Sequence, residues 1–198
     1  MTGLPARIRD LARLSLRNPR AATRALLAEG VPLSARSAGL LLMAVLSTLM
    51  LQASFALAPP GDEPMAGFLA SSPVRTAVVQ WLILILTAVL TYRVGRAFGG
   101  SGSLPDSLLV VVWLQLLMLG VQVLQLVAFV LIPPFAGLIG LVGFGLFLWL
   151  SVNFIAELHG FKSLGAVFAG MIATAFAAAL LAALLMGLIL GPEALSNV

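Results

Sequence analysis

The charges of this chain fall into islands, and the stretches between them are apolar. Charged side chains occupy residues 7–36, 62–75, 93–106 and 157–162, with Glu193 beyond them. The intervening runs Ser37–Gly61, Thr76–Tyr92, Ser107–Ala156 and Ser163–Pro192 carry none. A hydrocarbon core about 30 Å thick takes roughly 20 apolar residues per helical crossing. The pattern therefore predicts an all-α integral membrane protein. Composition agrees: 61% of the residues are hydrophobic and 9% charged, against about a quarter charged in a soluble domain. At 198 residues the chain holds one membrane domain and leaves no room for a separate globular enzyme domain.

The longest apolar run is too long for one crossing at about 1.5 Å per residue. Pro133 and Pro134 divide it, because proline lacks an amide donor and restricts the residue before it. Five spans result, at about 37–57, 75–97, 107–131, 135–156 and 165–190. Basic residues mark the cytoplasmic side of a membrane protein. With the N-terminus inside, Arg7, Arg9, Arg13, Arg17, Arg20, Arg24, Arg36, Arg93, Arg96 and Lys162 all lie inside, and Arg75 alone lies outside. The expected topology is N-terminus cytoplasmic and C-terminus outside, in a cell's inner membrane. The first apolar run starts too late for a cleavable signal, so it is expected to stay as a transmembrane helix.

Residues 1–36 read as a cytosolic or interfacial segment of two short helices. Asn18 suits an N-cap, Pro19 a first helical position, and Gly30 a helix end. Arg9, Arg13, Arg17, Arg20 and Arg24 share one side of a helical wheel, with Leu4, Ile8, Leu11, Ala22 and Leu26 roughly opposite. A basic amphipathic stretch of this kind lies in the membrane interface, and these five arginines are the candidate lipid-surface contacts. The basic pI is read as attraction to anionic lipid, not to nucleic acid. Topology control alone would also account for the arginines.

Polar groups inside the bilayer are few. Gln115, Gln122, Asn153 and Glu157 form a candidate polar path for a small solute or ion. The plainer reading is hydrogen bonding between helices, with Gln125 close to the same face and Gln52 and Gln80 isolated. Glu157 ends the fourth span at the depth where Arg93 and Arg96 end the second, which predicts an ion pair between them. With no cysteine and a single histidine, His159, no metal site, cofactor or catalytic residue is expected. Small residues recur every four positions in the fifth span, as Gly165, Ala169, Ala173, Ala177 and as Ala166, Gly170, Thr174, Ala178, Ala182. Gly137, Gly140, Gly143 and Gly145 do similar work in the fourth. These rows predict close helix packing, with a homo-oligomer as the lesser reading.

Two loops join the remaining spans at the basic side. In the first, Gly99-Gly100-Ser101-Gly102-Ser103 lacks the spacing and lysine of a phosphate loop. Its glycines end one helix, and Ser103 with Asp106 caps the next. The second, Gly160-Phe161-Lys162-Ser163-Leu164, matches Gly100–Leu104 at glycine, serine and leucine. That match suggests that spans two–three and four–five are parallel repeats. The candidate interaction site on this face is Arg93, Arg96, Gly99, Gly100, Ser103, Glu157, His159 and Lys162.

Three features carry a family resemblance over nearly the whole chain. They are Asn18-Pro19 with the basic helix before the first span, the Gly99–Ser103 loop, and the run Ala156-Glu157-Leu158-His159-Gly160-Phe161-Lys162-Ser163. With five spans and the N-terminus inside, the chain resembles the Yip family of Ypt/Rab-interacting membrane proteins, in its bacterial branch. The resemblance implies a membrane scaffold with a cytosol-facing N-terminus and no catalytic residues. In eukaryotes such proteins bind prenylated Rab GTPases; here the N-terminal segment is short and offers no extended region to hold one. The expectation is a non-enzymatic protein acting through its cytosolic face on lipid or on a cytosolic or membrane protein partner. The alternative is a small-solute, ion or lipid transporter using the polar path.

Overall fold

Eight helices and no strand make up residues 3–190, the part of the chain that the computed structural model describes, with side chains described through Leu184. Two short helices come first, α1 (Leu4–Arg17) and α2 (Pro19–Ala28). Five long ones follow: α3 (Leu33–Leu57), α5 (Pro73–Ala97), α6 (Leu104–Leu131), α7 (Pro133–His159) and α8 (Leu164–Leu190), with the short α4 (Pro64–Ala70) between the first two. The five long helices are long and apolar enough to cross a membrane. They extend the expected spans by up to four residues, and the added residues of α3, α6 and α7 include the charged or polar side chains Arg36, Asp106, Glu157 and His159. Glu193 lies outside the described residues.

Local chemistry sets the helix ends. Asn18 accepts a hydrogen bond from the Ala21 amide at 3.0 Å, and Pro19 follows in the position where its missing N–H costs nothing. α6 stops at Leu131 and α7 starts at Pro133, so Ile132 alone joins them. α5 and α7 both end in a left-handed glycine that lets the chain turn back on the last carbonyls. After α5, Gly99 has φ +83° and the Gly100 amide donates to Gly95 O at 2.8 Å; after α7, Gly160 has φ +73° and the Phe161 amide donates to Ala156 O at 2.8 Å. The equivalent glycines are thus Gly99 and Gly160, one residue off the match that sequence suggested. Serine caps open the next helix in each case: the Asp106 amide donates to Ser103 Oγ and the Ala166 amide to Ser163 Oγ, both at 3.2 Å.

α6 is the central helix. One face packs with α2 and α7 through Leu26, Trp113, Leu150, Phe154 and Leu158. The other packs with α3 and α5 through Leu40, Met43, Ala44, Leu84, Ala88 and Leu119. α8 joins at the edge, its Val167 buried against Val152 and Ala156 of α7. The small-residue rows divide. Gly165, Ala169, Ala173 and Ala177 are all exposed, whereas Gly170, Thr174 and Ala178 are partly covered. In α7, a Cβ on Gly140 would meet Gln125 at 2.8 Å and one on Gly143 would meet Val121 at 2.7 Å, while Gly137 and Gly145 face open space.

α4 lies between the first two spans, in a stretch with no apolar run long enough to mark it. Its carbonyls are held from outside: Gln52 Nε2 and Thr76 Oγ1 both donate to Leu69 O, at 3.1 and 2.7 Å. Arg75 donates to Phe68 O and packs its guanidinium over the Phe68 ring at 3.7 Å. Gln52 is therefore tied across the loop.

At the opposite end, α1 lies against the side of α6. Trp113 Nε1 donates to Ser15 Oγ at 3.0 Å, and Ser15 is fully buried. Ser15→Ala leaves the indole N–H buried without its partner, a loss of about 1–2 kcal/mol. The expected result is a lower unfolding midpoint in detergent, with a shift in the tryptophan emission that Ser15→Thr largely avoids.

Candidate functional site

The basic end of the bundle gathers most of the polar chemistry. α1, α2, the start of α3, the α5–α6 turn and the α7–α8 turn all meet there. Three charged or polar joints hold these pieces together.

The first joint is Glu157. Arg24 Nη1 lies 2.8 Å from Glu157 Oε1, and Arg20 Nε lies 3.7 Å from Oε2, close enough for charge attraction but too far for a hydrogen bond. The Arg20 guanidinium also donates to Phe161 O. The carboxylate has 18% of its side chain exposed. The expected pairing with Arg93 or Arg96 is therefore wrong. Arg96 donates to Gly100 O of its own turn at 3.3 Å, and Arg93 sits beside the Tyr92 ring. The reason is helical phase. His159, two residues after Glu157, faces α5, and two residues turn a helix by about 200°, so Glu157 faces the other way, toward α2.

The second joint is His159 itself, 3% exposed. Its Nδ1 accepts from the Gly102 amide at 3.3 Å, and Nε2 lies 3.0 Å from Thr91 O. With Nδ1 accepting, the proton is on Nε2, which donates to Thr91. The ring stacks on Phe161 with centroids 5.5 Å apart. Its socket is glycine on three sides. A Cβ on Gly95 would fall inside the ring's contact distance, one on Gly100 would lie 2.5 Å from Nδ1, and one on Gly102 would lie 2.7 Å from Cε1. The Ser101 amide completes the joint by donating to His159 O at 3.2 Å. Gly100 and Gly102, read from sequence as parts of a helix stop, also make room for an imidazole.

The third joint runs from α3 to α6. Arg36 Nη1 donates to Asp106 Oδ1 at 2.7 Å and its Nε to Val31 O at 2.7 Å. Ser103 Oγ donates to Asp106 Oδ2 at 2.6 Å. Ser103 thus caps α6 and also orients the carboxylate that holds Arg36.

The candidate residues sort accordingly. Glu157, His159, Gly99, Gly100 and Ser103 come together in or beside these joints; Lys162 is exposed. Of the five candidate lipid contacts, Arg9, Arg13 and Arg17 are exposed, whereas Arg20 and Arg24 turn to Glu157. Leu4 and Ile8 are exposed on the same side of α1 as the packed Leu11 and Ser15. The four polar-path residues do not share one cavity. Gln115 Nε2 donates to Ser47 Oγ at 2.7 Å and borders a cavity with Gln122. Asn153 donates to Trp149 O in its own helix, and Glu157 is held by α2.

Sequence reasoning missed Gly95, Thr91, Arg36 and Ser15. A glycine inside an apolar helix was the available signal for Gly95. Thr91 acts through its carbonyl, which no side-chain pattern reveals.

No curated protein and no solved structure matches this chain. A family model described as the Yip1 domain matches residues 13–186, from the middle of α1 into α8. That span takes in all three joints, and the chain is a member of the Yip1 domain family.

Proposed function

We propose that this chain is a non-enzymatic scaffold of the inner membrane whose basic end faces the cytosol and engages anionic lipid, with a protein partner recruited at the same face. The observation that carries the reading is the division of labour among the arginines. Arg20 and Arg24 fix α2 to the bundle through Glu157, while Arg9, Arg13 and Arg17 stay exposed on α1, with Leu4 and Ile8 exposed across the helix. A docked helix with an apolar edge and an exposed basic edge suits the interface plane of a negatively charged leaflet. The orientation rests on the same end collecting Arg93, Arg96 and Lys162. A C-terminal phosphatase fusion should be active outside the cell, and one placed after Gly100 should be silent.

The transporter alternative has less support, because Asn153 and Glu157 lie away from the cavity that Gln115 and Gln122 border. The chain has no cysteine, so Leu4→Cys gives a unique labelling site for the main test. In nanodiscs containing phosphatidylglycerol, a fluorophore there should be quenched by lipid-borne quenchers. At about 1 kcal/mol per basic residue, Arg9→Gln/Arg13→Gln/Arg17→Gln should weaken that insertion by about 3 kcal/mol, roughly 150-fold. A label that stays in water in these nanodiscs overturns the reading.

A further inference from the structure

The half of the bundle remote from the basic end holds two open cavities, and neither belongs to the site described above. One, of about 350 Å³, lies between α3, α5 and α6 and is bordered by Ser47, Ser54, Gln80, Gln122 and Gln125. The other, of about 310 Å³, lies between α6 and α7 and is bordered by Gln115, Gln122, Gln125, Gly140 and Phe147. Gln122 and Gln125 border both, so the two cavities meet at one stretch of α6. Each is at the small end of the roughly 300–1,000 Å³ range of small-molecule sites.

Depth makes these amides unusual. At 1.5 Å per residue, Gln122 is about 27 Å along α6 from Leu104 and about 14 Å from its other end. A hydrocarbon core of about 30 Å centred on this helix would include it. Among the described residues, Gln115 and Gln52 have hydrogen-bond partners, Ser47 and Leu69 O. The side-chain bonds of that set include none from Gln80, Gln122 or Gln125. A glutamine acting only as glue between helices bonds across the interface as Gln115 does. Three carboxamides left open at this depth are costly until something meets them.

The remaining lining describes what that something is. No charged side chain borders either cavity, so an ionised phosphate or carboxylate would be left unpaired. Carboxamides offer donors and acceptors together, which suits ester and hydroxyl oxygens. Met50, Leu126, Phe129 and Phe144 supply apolar wall for a hydrocarbon chain. Gln122 and Phe144 are exposed, so the opening is lateral, toward lipid. Gly140 permits the arrangement, since a Cβ there would meet Gln125 Nε2 at 2.8 Å.

We propose that the paired cavities are a lateral binding site for an uncharged glycerolipid, with its hydroxyl and ester oxygens on Gln80, Gln122 and Gln125. This site does not rest on the reading of the basic end. The test places the full-length protein in phosphatidylcholine nanodiscs with a trace of diacylglycerol carrying an acyl-chain diazirine, followed by irradiation and peptide mapping. Adducts are expected along residues 50–54, 122–129 and 140–147. Gln122→Leu/Gln125→Leu should lower their yield about tenfold, as two lost contacts of about 0.6–2 kcal/mol imply. Gly140→Ala keeps every polar atom but displaces Gln125, and should lower the yield too, which separates the site from a folding defect of the leucine pair. A diazirine phosphatidylglycerol should label these segments less. Three results each overturn the proposal: adducts spread evenly over the exposed face of α8, equal labelling by the charged lipid, or a yield unchanged in both variants, which would leave only water in the cavities.

Discussion

His159→Ala should destabilise the bundle by about 3 kcal/mol, through an emptied socket and a buried Gly102 N–H stripped of its acceptor. A lower midpoint in detergent unfolding reads it directly. Gly95→Ala is the more telling change. On helix propensity alone, alanine for glycine favours a helix by about 1 kcal/mol. Here the new methyl would enter the imidazole, and overpacking of that kind costs about 1–3 kcal/mol. The sign of the change therefore decides whether the socket is real. In the double variant the methyl meets no ring, so Gly95→Ala/His159→Ala should be clearly more stable than the sum of the singles predicts. Additive losses would mean that Gly95 and His159 do not touch.

Glu157→Arg should have the second-largest effect. It replaces the carboxylate by a third guanidinium beside Arg20 and Arg24, with a loss of about 2 kcal/mol for the broken charged hydrogen bond and the new repulsion. α2 should come away from α7, and trypsin should cut at Arg20 or Arg24 in the folded protein. Adding Arg24→Glu reverses both charges and should restore protection at Arg20, the site that remains. Adding Arg93→Glu or Arg96→Glu to Glu157→Arg should not. A rescue by Arg96→Glu with none by Arg24→Glu would refute the pairing seen here.

The membrane architecture was open to reading from sequence because lipid imposes a length rule. Charge-free runs and Pro133-Pro134 suffice to place five spans, and Asn18, Ser103 and Gly160 mark helix ends by local chemistry. The joints were less legible. Burial depth correctly implied a partner for Glu157, but the partner depends on which way the last turn of α7 faces, and an apolar helix surrounded by lipid carries little amphipathic signal to fix that phase. The ion pair of Arg24 is hidden for the same reason: wheel position groups it with Arg9, Arg13 and Arg17, and the break at Pro19 turns α2 so that Arg24 reaches Glu157. α4 escaped notice because its seven residues are held by Gln52, Arg75 and Thr76 from outside.

The Glu157 joint also fixes an order of assembly. Arg24 and Glu157 are 133 residues apart, and the glycine socket at Gly95–Gly102 is likewise made before the histidine that fills it. At a synthesis rate of about 5–20 residues per second, α2 waits on the order of ten seconds for its carboxylate. Through that interval Arg20 and Arg24 lack the carboxylate they dock on, and the α5–α6 hairpin enters the bilayer with an empty hollow at its turn. The last turn of α7 closes both at once, so the basic end becomes a single rigid surface only after the fourth span has been inserted.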